Sequence, residues 1–367
     1  MKLLLTIILV SVADCYCFAT GTFLLKGKSG DSAMVMICYP EKDGSFSGKY
    51  FCWPDLKDKD FEGHKKGSGY RIYVFGPAEN GMGQDTSAAI FIKPAGNHLW
   101  KGQFVSKNQH TSIVSLKEQS LVKDSCYSRY SSERKALFRS IKKDTGSYGK
   151  ITYSWYQIEN TPVSYLHIEK GLSAEATHKI NQTMSSMGAV YAENYFSCTY
   201  QYLLTDYSFE ISDVYISDHI ISLCASGSYY CGNASIEDWF TAYNFNTATG
   251  TQLNLQDVLY LGHTPQTRSG EDDNHFLSDE YTQKLVELLT SLYPGQMAEP
   301  KEEGKCNYSD PGIWQYGSWY FTPSGIFIHP EFRHFDMECG EEKWSVISYS
   351  TADKYKNPSV RLMLPEH

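Results

Sequence analysis

Beyond residue 19 the chain has no long apolar run, no Cys-x-x-Cys pair and no Gly-x-Ser-x-Gly motif. A helix that spans a bilayer needs about 20 apolar residues, so this part of the sequence predicts no transmembrane segment. The missing cysteine pair argues against a structural zinc site, and the missing serine motif excludes the nucleophile elbow of the α/β-hydrolases. No internal repeat or low-complexity segment is present.

Positive charge is also scarce. Lys and Arg number 33 against 42 Asp and Glu, which gives a formal net charge of −9. Proteins bind phosphate backbones through clusters of Lys and Arg, so this balance argues against nucleic acid as a partner. It favours cationic partners through long-range attraction.

The first 19 residues have the pattern of a signal peptide. Lys2 supplies the positive start, and the apolar run at residues 3–13 is too short to span a bilayer. Two cleavage sites compete, because a cut before Cys15 would give a lipid-anchored protein and a cut after Ala19 a free one. We predict cleavage after Ala19, which makes the protein an exported one.

Cysteine usage supports export. Cleavage after Ala19 removes two of the ten cysteines, and an even number in an exported chain predicts disulfides. A β-hairpin centred near Ser45 would place two of the cysteines opposite each other; spacing gives two further pairs, and elimination gives the last. The predicted bridges are Cys38–Cys52, Cys224–Cys231, Cys306–Cys339 and Cys126–Cys198.

Strand-forming residues are abundant. Aromatic residues make up 14% of the chain, and tyrosine alone occurs 28 times. Six short strand-like runs, separated by turn clusters, lie between residues 32 and 116, which is typical of a small barrel or sandwich. Helical periodicity occurs at residues 172–187 and at residues 278–293, where Ser278 is the predicted N-cap.

The predicted fold class is α+β, because runs of strands alternate with a few segregated helices. The chain divides into a signal peptide at residues 1–19, a small all-β domain at 20–118, a linker with a short helix at 119–149, and a mixed domain at 150–367. In the last domain we expect two main helices packed on an antiparallel sheet.

Aromatic rings are the first candidates for function. Trp239, Trp314, Tyr316 and Trp319 lie in stretches so rich in aromatics that some rings should be exposed. Exposed rings stack on sugars or anchor protein interfaces, whereas buried rings are core and cross-strand partners. We predict a binding role for these four residues.

A cluster of potential metal ligands follows near the C-terminus. Glu331, His334 and Asp336 have side chains that bind metals well, which would suit an envelope hydrolase. The alternative interpretation is a solvated polar loop beside Cys339, since the proline in this segment excludes helical ligand spacing. No catalytic residue and no cofactor is predicted.

Residues 243–259 read Tyr-Asn-Phe-Asn-Thr-Ala-Thr-Gly-Thr-Gln-Leu-Asn-Leu-Gln-Asp-Val-Leu. This stretch resembles the Asn-Phe-Asp, Thr-Gly, Leu-x-Leu-x-Asp signature of the extracellular domain of bacterial anti-sigma-V factors, which also occurs attached to a peptidoglycan deacetylase. Residues 151–160, 180–181, 214–223 and 319–326 match other parts of that domain, so the likeness covers about residues 150–350. Residues 48–52, 72–76 and 99–102 resemble another small envelope-associated β-domain.

The resemblance implies a binding module of the bacterial envelope, in the periplasm or at the cell surface, because in the anti-sigma factors this domain binds lysozyme. Lysozyme is cationic and this chain is acidic, so the charges are compatible. Where the family has Gly-Gly-Ala-His, residues 231–235 read Cys-Gly-Asn-Ala-Ser, and any role of that histidine is not carried over. We expect a non-enzymatic protein that binds a lysozyme-like wall hydrolase or the wall glycan. The alternatives are a hydrolase acting on peptidoglycan and a purely structural envelope protein.

Overall fold

The computed structural model describes residues 21–77, 84–119, 126–198, 206–231, 237–262, 277–300, 305–332, 339–340 and 343–365. The predicted signal peptide, including Cys15, lies outside these residues. The chain forms two compact units. The first contains the residues up to Leu137 together with Phe196–Leu204, and the second contains Phe138–Tyr195 and Thr205–His367.

Strands dominate, so the predicted α+β class is wrong. Among the residues that the structure describes, strands account for 45% and helices for 22%. The N-terminal unit is a closed eight-stranded antiparallel barrel, and the second unit has three separate sheets instead of one sheet under two main helices. The prediction failed because several strands, such as Lys59–Lys66 and Ser140–Tyr148, are too polar to show an apolar period.

The barrel is an up-and-down meander, so of the predicted barrel and sandwich the structure has the barrel. Each strand pairs with its neighbour in sequence, and the first strand closes the ring on the eighth. Side chains alternate between the interior and the outer face, because a strand has a period of two. The strands are β1 (Phe23–Ser29), β2 (Ser32–Pro40), β3 (Phe46–Cys52), β4 (Lys59–Lys66), β5 (Gly69–Pro77), β6 (Gln84–Pro94), β7 (Leu99–Ser106) and β8 (Thr111–Gln119).

A hydrophobic core fills much of the barrel interior. Interior glycines make room for aromatic rings: a Cβ on Gly63 would lie 2.5 Å from the ring of Phe46, and one on Gly48 would lie 2.7 Å from the ring of Phe61. The buried core residues are Leu25, Met34, Met36, Cys38, Phe46, Tyr50, Phe61, Tyr70, Ile72, Val74, Ala88, Ile90, Ile92, Trp100, Val114 and Leu116.

An ion pair is buried on the outer side of the barrel, under helix α1 (Cys126–Lys135). Arg134 donates to the Asp58 carboxylate, and the Tyr130 hydroxyl donates to the same oxygen at 2.6 Å. All three side chains are at most 1% exposed. The Arg134 guanidinium lies 4.8 Å from the ring centroid of Phe51, so an aromatic face replaces part of its lost hydration.

The described part of the second unit consists of three antiparallel sheets and five α-helices. The first sheet contains β9 (Ser140–Tyr148), β10 (Ile151–Ile158) and β11 (Ser164–Lys170); the second contains β12 (Asp206–Tyr207), β13 (Glu210–Ile216), β14 (Ile220–Tyr230) and β15 (Glu237–Asn246); the third contains β16 (Ser318–Thr322), β17 (Gly325–His329) and β18 (Val346–Ile347). The helices are α2 (Ala174–Ser197), whose last two residues belong to the first unit, α3 (Leu255–Val258), α4 (Asp279–Leu292), α5 (Gly312–Gln315) and α6 (Tyr349–Ala352).

The two longer helices of this unit pack in different places. Helix α2 meets β11 through Asn181, whose side chain accepts from the Ile168 N–H at 2.7 Å and donates to the Ile168 carbonyl at 2.9 Å. Helix α4 starts at the predicted N-cap, because the Ser278 hydroxyl accepts from the Tyr281 N–H at 3.3 Å. Its buried face joins the main core of the unit with residues of β16 and β17.

A buried polar network connects the second and third sheets. The Ser222 hydroxyl donates to the Asn244 side-chain oxygen at 2.6 Å, and the Asn244 amide donates to the Trp319 carbonyl at 2.8 Å. The Phe321 N–H donates to the Ser222 hydroxyl at 3.0 Å. Because each buried polar atom here has a partner, the network fixes the position of β16 against β14 and β15.

The predicted bridge between Cys306 and Cys339 is confirmed. Cys198 and Cys231 are also disulfide-bonded, whereas Cys126 and Cys224 are free thiols, so the predicted pairs Cys126–Cys198 and Cys224–Cys231 are wrong. Cys224 lies within β14, and the extended strand from Cys224 to Tyr230 carries it far from Cys231.

The predicted bridge between Cys38 and Cys52 is wrong as well, since both are free thiols. The hairpin of β2 and β3 has a different register from the expected one: Cys38 lies opposite Gly48, and Cys52 lies opposite Met34. Four residues along a strand separate the two sulfur positions by roughly 13 Å, which is too far for a disulfide.

The disulfides indicate an oxidising, extracellular compartment. Within the part of the chain that the structure describes, none of the helices combines the length and the hydropathy that crossing a bilayer requires.

Candidate functional site

Two of the four predicted binding residues are core residues. Trp314 is fully buried and Trp319 is 5% exposed, and both belong to the main core of the second unit. The Trp314 indole N–H donates to the Tyr308 carbonyl at 2.9 Å, so even its polar atom is satisfied inside the protein. A ligand at the surface cannot contact these rings, which corrects the prediction for both residues.

Trp239 is half-buried between the second sheet and helix α2. Its ring stacks on Tyr191, with 4.2 Å between the centroids and 17° between the planes. A Cβ on Gly227, the residue opposite on β14, would lie 2.8 Å from the indole. Tyr191 and Gly227 both pack against the indole, so Trp239 is a packing residue between helix and sheet.

Tyr316 is the exposed ring among the four, with 52% of its surface accessible. It follows helix α5 and lines a cleft of about 650 Å³, which Glu331, Phe332, Asn307 and Asp310 also line. We call this the Tyr316 cleft. It brings together Tyr316 and Glu331, which the sequence placed in two separate candidate sites.

The other members of the predicted metal cluster, His334 and Asp336, lie outside the described residues. In the described ranges, no group of three or more His, Cys, Asp and Glu side chains is arranged to hold a metal ion. The metal interpretation therefore stays a prediction for these residues.

The walls of the Tyr316 cleft are fixed by local hydrogen bonds. The Asn307 side-chain oxygen accepts from the Ser309 N–H at 3.2 Å, and the Asp310 carboxylate accepts from the Gly312 N–H at 2.8 Å. The Glu331 N–H donates to the Ile313 carbonyl at 2.7 Å. These turn contacts hold the polar side chains before any ligand arrives.

The bridge between Cys306 and Cys339 closes one side of the same cleft. The Tyr308 hydroxyl donates to the Cys339 carbonyl at 2.7 Å, and its ring meets Phe332 edge to face at 5.4 Å. The disulfide therefore ties Cys306, next to Asn307, to Cys339, and the Tyr308 ring connects this link to Phe332. A covalent link across 33 residues restricts the cleft to few conformations.

The side chains that line the cleft suit a polar, uncharged ligand that has an apolar face. Tyr316 and Phe332 offer ring surface, Asn307 offers an amide, and Asp310 and Glu331 offer carboxylates. Burial raises the pKa of the Glu331 carboxyl, which makes its protonated form more accessible than in water. This combination suits ring stacking together with hydrogen bonds to hydroxyl groups.

A second candidate surface lies on the outer end of the second sheet. Asp206, Glu210 and Asp238 are exposed. Their cross-strand partners are Tyr230, Ser226 and Ser228, alternate residues of β14, so the carboxylates share one side of the sheet. We call this the acidic face. No Lys or Arg occurs anywhere between Lys179 and Arg268.

The sequence reasoning missed Asn307, Asp310 and Phe332. A usable signal was present, because Asn-x-Ser-Asp-Pro at residues 307–311 is turn grammar that starts helix α5 just before Tyr316. Turn residues occur in most loops, so this pattern alone does not predict a binding site. The link to Glu331 depends on the β16–β17 hairpin, which only the fold provides.

Neither a protein-family model nor a curated protein sequence matches this chain. The resemblance to the anti-sigma-V extracellular domain therefore stays a prediction.

Proposed function

We propose that the protein is an exported, non-enzymatic binding protein of the bacterial envelope and that the Tyr316 cleft binds the glycan of the cell wall. The observation that carries this proposal is the exposed Tyr316 ring beside the polar side chains of Asn307, Asp310 and Glu331. A sugar presents an apolar ring face surrounded by hydroxyl groups, and the cleft offers a matching surface for each. Its volume of about 650 Å³ suits a short saccharide.

Two further points support the proposal. The disulfides are compatible with an envelope protein, because they form in oxidising compartments. The resemblance of residues 150–350 to a domain found on an anti-sigma factor and on a peptidoglycan deacetylase points to the same surroundings.

The test is calorimetric titration of the full chain with soluble muropeptides. We expect saturable binding, and we expect Tyr316→Ala to weaken it about tenfold, which is the effect of removing an aromatic contact worth roughly 1.4 kcal/mol. Tyr148→Ala is the matched control, because this residue is 47% exposed in the same unit and lies outside the cleft. Absence of binding, or equal losses for the two variants, would refute the glycan site.

Glu331→Gln separates binding from hydrolysis. In a binding protein the amide variant keeps muropeptide affinity within about threefold, because it still offers an oxygen acceptor. In a hydrolase, the wild-type chain would release reducing ends from peptidoglycan and the variant would not, since the raised pKa of Glu331 suits a general acid. Release of reducing ends by the wild-type chain would overturn the non-enzymatic part of the proposal.

A second candidate function is recognition of a cationic wall hydrolase, such as a lysozyme, at the acidic face. It is favoured by the three exposed carboxylates and by the absence of Lys and Arg between Lys179 and Arg268. Tyr230, a half-buried aromatic residue, lies on the same side of the sheet and adds ring surface to this face.

The same calorimetric experiment, run with lysozyme, tests this candidate. A triple variant, Asp206→Asn with Glu210→Gln and Asp238→Asn, should weaken lysozyme binding strongly at low salt and much less at high salt. The control removes three exposed carboxylates elsewhere in the unit, at Glu175, Glu287 and Asp353, and so has the same net charge. If the two triple variants lose affinity equally, the face has no specific role.

A further inference from the structure

The two ends of the barrel differ. At the end where the odd-numbered strands begin, each of them has an inward aromatic ring at its first or second residue, namely Phe23, Phe46, Tyr70 and Trp100. Their ring centroids form a chain, with 6.2 Å from Phe23 to Phe46, 5.0 Å from Phe46 to Tyr70 and 6.0 Å from Tyr70 to Trp100. This aromatic plug closes that end of the barrel.

Among the residues that the structure describes, none closes the opposite end. Where β3, β5 and β7 finish, a cleft of about 590 Å³ enters the barrel, and we call it the barrel cup. Its inner wall contains Tyr50 and Ala88, which are 1% and 8% exposed and belong to the barrel core. Phe104, partly buried against the same core, also lines it. The inner part of the cup is therefore mainly apolar.

The rim of the barrel cup is charged. Three ammonium groups line it, on Lys57, Lys59 and Lys107, together with the carboxylates of Asp55 and Asp85. Lys59 lies 2.9 Å from Asp55, and Lys107 lies 3.7 Å from Asp85. These partly exposed ion pairs are weak, so a ligand carboxylate can exchange for them at little cost.

Charge around the cup also favours an anion. Residues 21–137, which include the barrel, contain 17 Lys and Arg against 12 Asp and Glu, although the whole chain is acidic. A positively charged rim above an apolar wall selects ligands that combine a negative group with an apolar body. Eight-stranded barrels are wide enough to hold one small ligand of this kind.

We propose that the barrel cup binds a small amphipathic carboxylate, with its apolar part against Tyr50, Ala88 and Phe104 and its carboxylate at Lys59 and Lys107. The aromatic plug closes the far end, so the ligand enters and leaves through the charged rim. This activity is independent of the glycan site, which belongs to the other unit.

The test uses the full chain and a dansyl-labelled undecanoate as a fluorescent probe, displaced by decanoate, by decanol and by a decyl trimethylammonium salt. We expect the probe to gain fluorescence on binding and decanoate to displace it at least tenfold more effectively than decanol. Equal displacement by decanoate and decanol, or stronger displacement by the cation, would overturn the proposal.

Variants locate the site. Lys59→Met and Lys107→Met should each weaken decanoate binding about three- to fivefold, as expected for ion pairs near the surface. Lys101→Met is the matched control. Lys101 is exposed on the same strand as Phe104, but it lies on the outer face of the barrel and not at the cup. If the Lys59→Met and Lys107→Met double variant binds like the control, the anion does not bind at this rim.

Filling the cup tests its apolar part. Ala88→Trp places an indole against Tyr50 and Phe104 and should abolish binding of both the probe and decanoate, although Lys59 and Lys107 are unchanged. Should this variant not fold, Ala88→Leu, with a smaller added volume, should weaken probe binding at least threefold. Unchanged binding in a folded Ala88 variant would contradict the proposal.

Discussion

The two units solve the same problem, that of burying the apolar side of short strands, in different ways. The barrel closes on itself, so its core lies inside one continuous ring of strands. The second unit has three separate sheets, and helix α4, a buried polar network and a disulfide join the second and third of them around one core. A closed sheet satisfies its own edges, whereas open sheets need additional links.

Their charges differ as well. Residues 21–137 have an excess of Lys and Arg, with 17 against 12 Asp and Glu, whereas residues 138–367 have 15 against 29. The net charge of the whole chain therefore conceals two opposite halves. A barrel that attracts anions and a second unit that attracts cations are the expected consequence.

The largest expected effect breaks the barrel unit alone. Arg134→Met leaves the buried Asp58 carboxylate without its cation and should lower the stability of the barrel unit by about 3–5 kcal/mol. Burial already raises the pKa of Asp58 and Arg134 opposes this, so in the variant Asp58 should take up a proton. Hydrogen exchange followed by mass spectrometry should show faster exchange throughout the barrel strands.

Arg129→Met is the control for this experiment. Arg129 lies on the same helix and pairs with Glu133 at 2.8 Å, but its side chain is 53% exposed. Removing this exposed cation should cost about 0.5 kcal/mol or less, because Glu133 keeps its contact with Lys26. Equal losses for the two arginines would show that burial of the ion pair does not determine the stability of this unit.

The second effect concerns the second unit. Replacing both Cys306 and Cys339 by Ser should destabilise it by about 3 kcal/mol, because the bridge joins residues 33 apart and limits the unfolded chain. Muropeptide binding should weaken with it, since the bridge closes one side of the Tyr316 cleft. Calorimetric melting measures the first change and titration the second. Barrel melting that shifts by a similar amount would contradict the independence of the two units.

The smallest effect is a pH dependence in the second unit. Burial, with a contribution from Lys343, lowers the pKa of His329 to about 4 from its ordinary 6.5. The folded state therefore resists protonation, so stability is complete above about pH 6.5 and falls as the pH decreases towards 4. Allowing for partial exposure of the ring, the loss should be about 2 kcal/mol.

His329→Phe isolates this contribution. The imidazole stacks on Phe240, with 4.5 Å between the ring centroids, and a phenyl ring can keep that contact. We measure the unfolding free energies of wild type and variant in urea at pH 7 and pH 4.5. Between these two values, we expect the wild type to lose more stability than the variant, because only the wild type has an imidazole that takes up a proton. A constant difference between them at both values would show that His329 does not titrate in this range.

Six of the eight barrel strands follow the apolar alternation that the sequence shows. The two strands that the sequence did not predict are β1 and β4, and β4 shows the limit of that signal. Near the centre of β4, Phe61 points into the barrel. The next interior position is Gly63, where the ring of Phe46 fills the space that a side chain would need. A strand that presents a glycine inward and charges outward has no apolar period, so its neighbours determine it.

Helix α2 shows the opposite error. The helical periodicity at residues 172–187 predicts only its first part, whereas the helix continues to Ser197. Tyr191 packs on Trp239, and the helical spacing that aligns it with Tyr195 follows from the sheet beneath. Tertiary contacts outweigh intrinsic preference here, which a single sequence does not reveal.

The candidate site was half predictable. Tyr316 and Glu331 were both selected from residue type, whereas Trp314 and Trp319 were selected for the same reason and are buried. Residue type identifies rings and carboxylates but not their exposure. Exposure depends on which face of β16 meets helix α4, and that depends on pairings across many residues.

The closure of the barrel also has a consequence for its folding. Seven of its eight strand pairings join neighbours in sequence and form as local hairpins, whereas the eighth pairs Leu24 with Gln119 and Ser29 with Val114. Local hairpins form within microseconds, but a contact across most of the unit must first overcome a large loop-closure entropy. The seam between β1 and β8 should therefore form last. The seam brings the start of β1 and the end of β8 side by side. A short linker between them would therefore permit circular permutation of the barrel, with new termini in any hairpin turn.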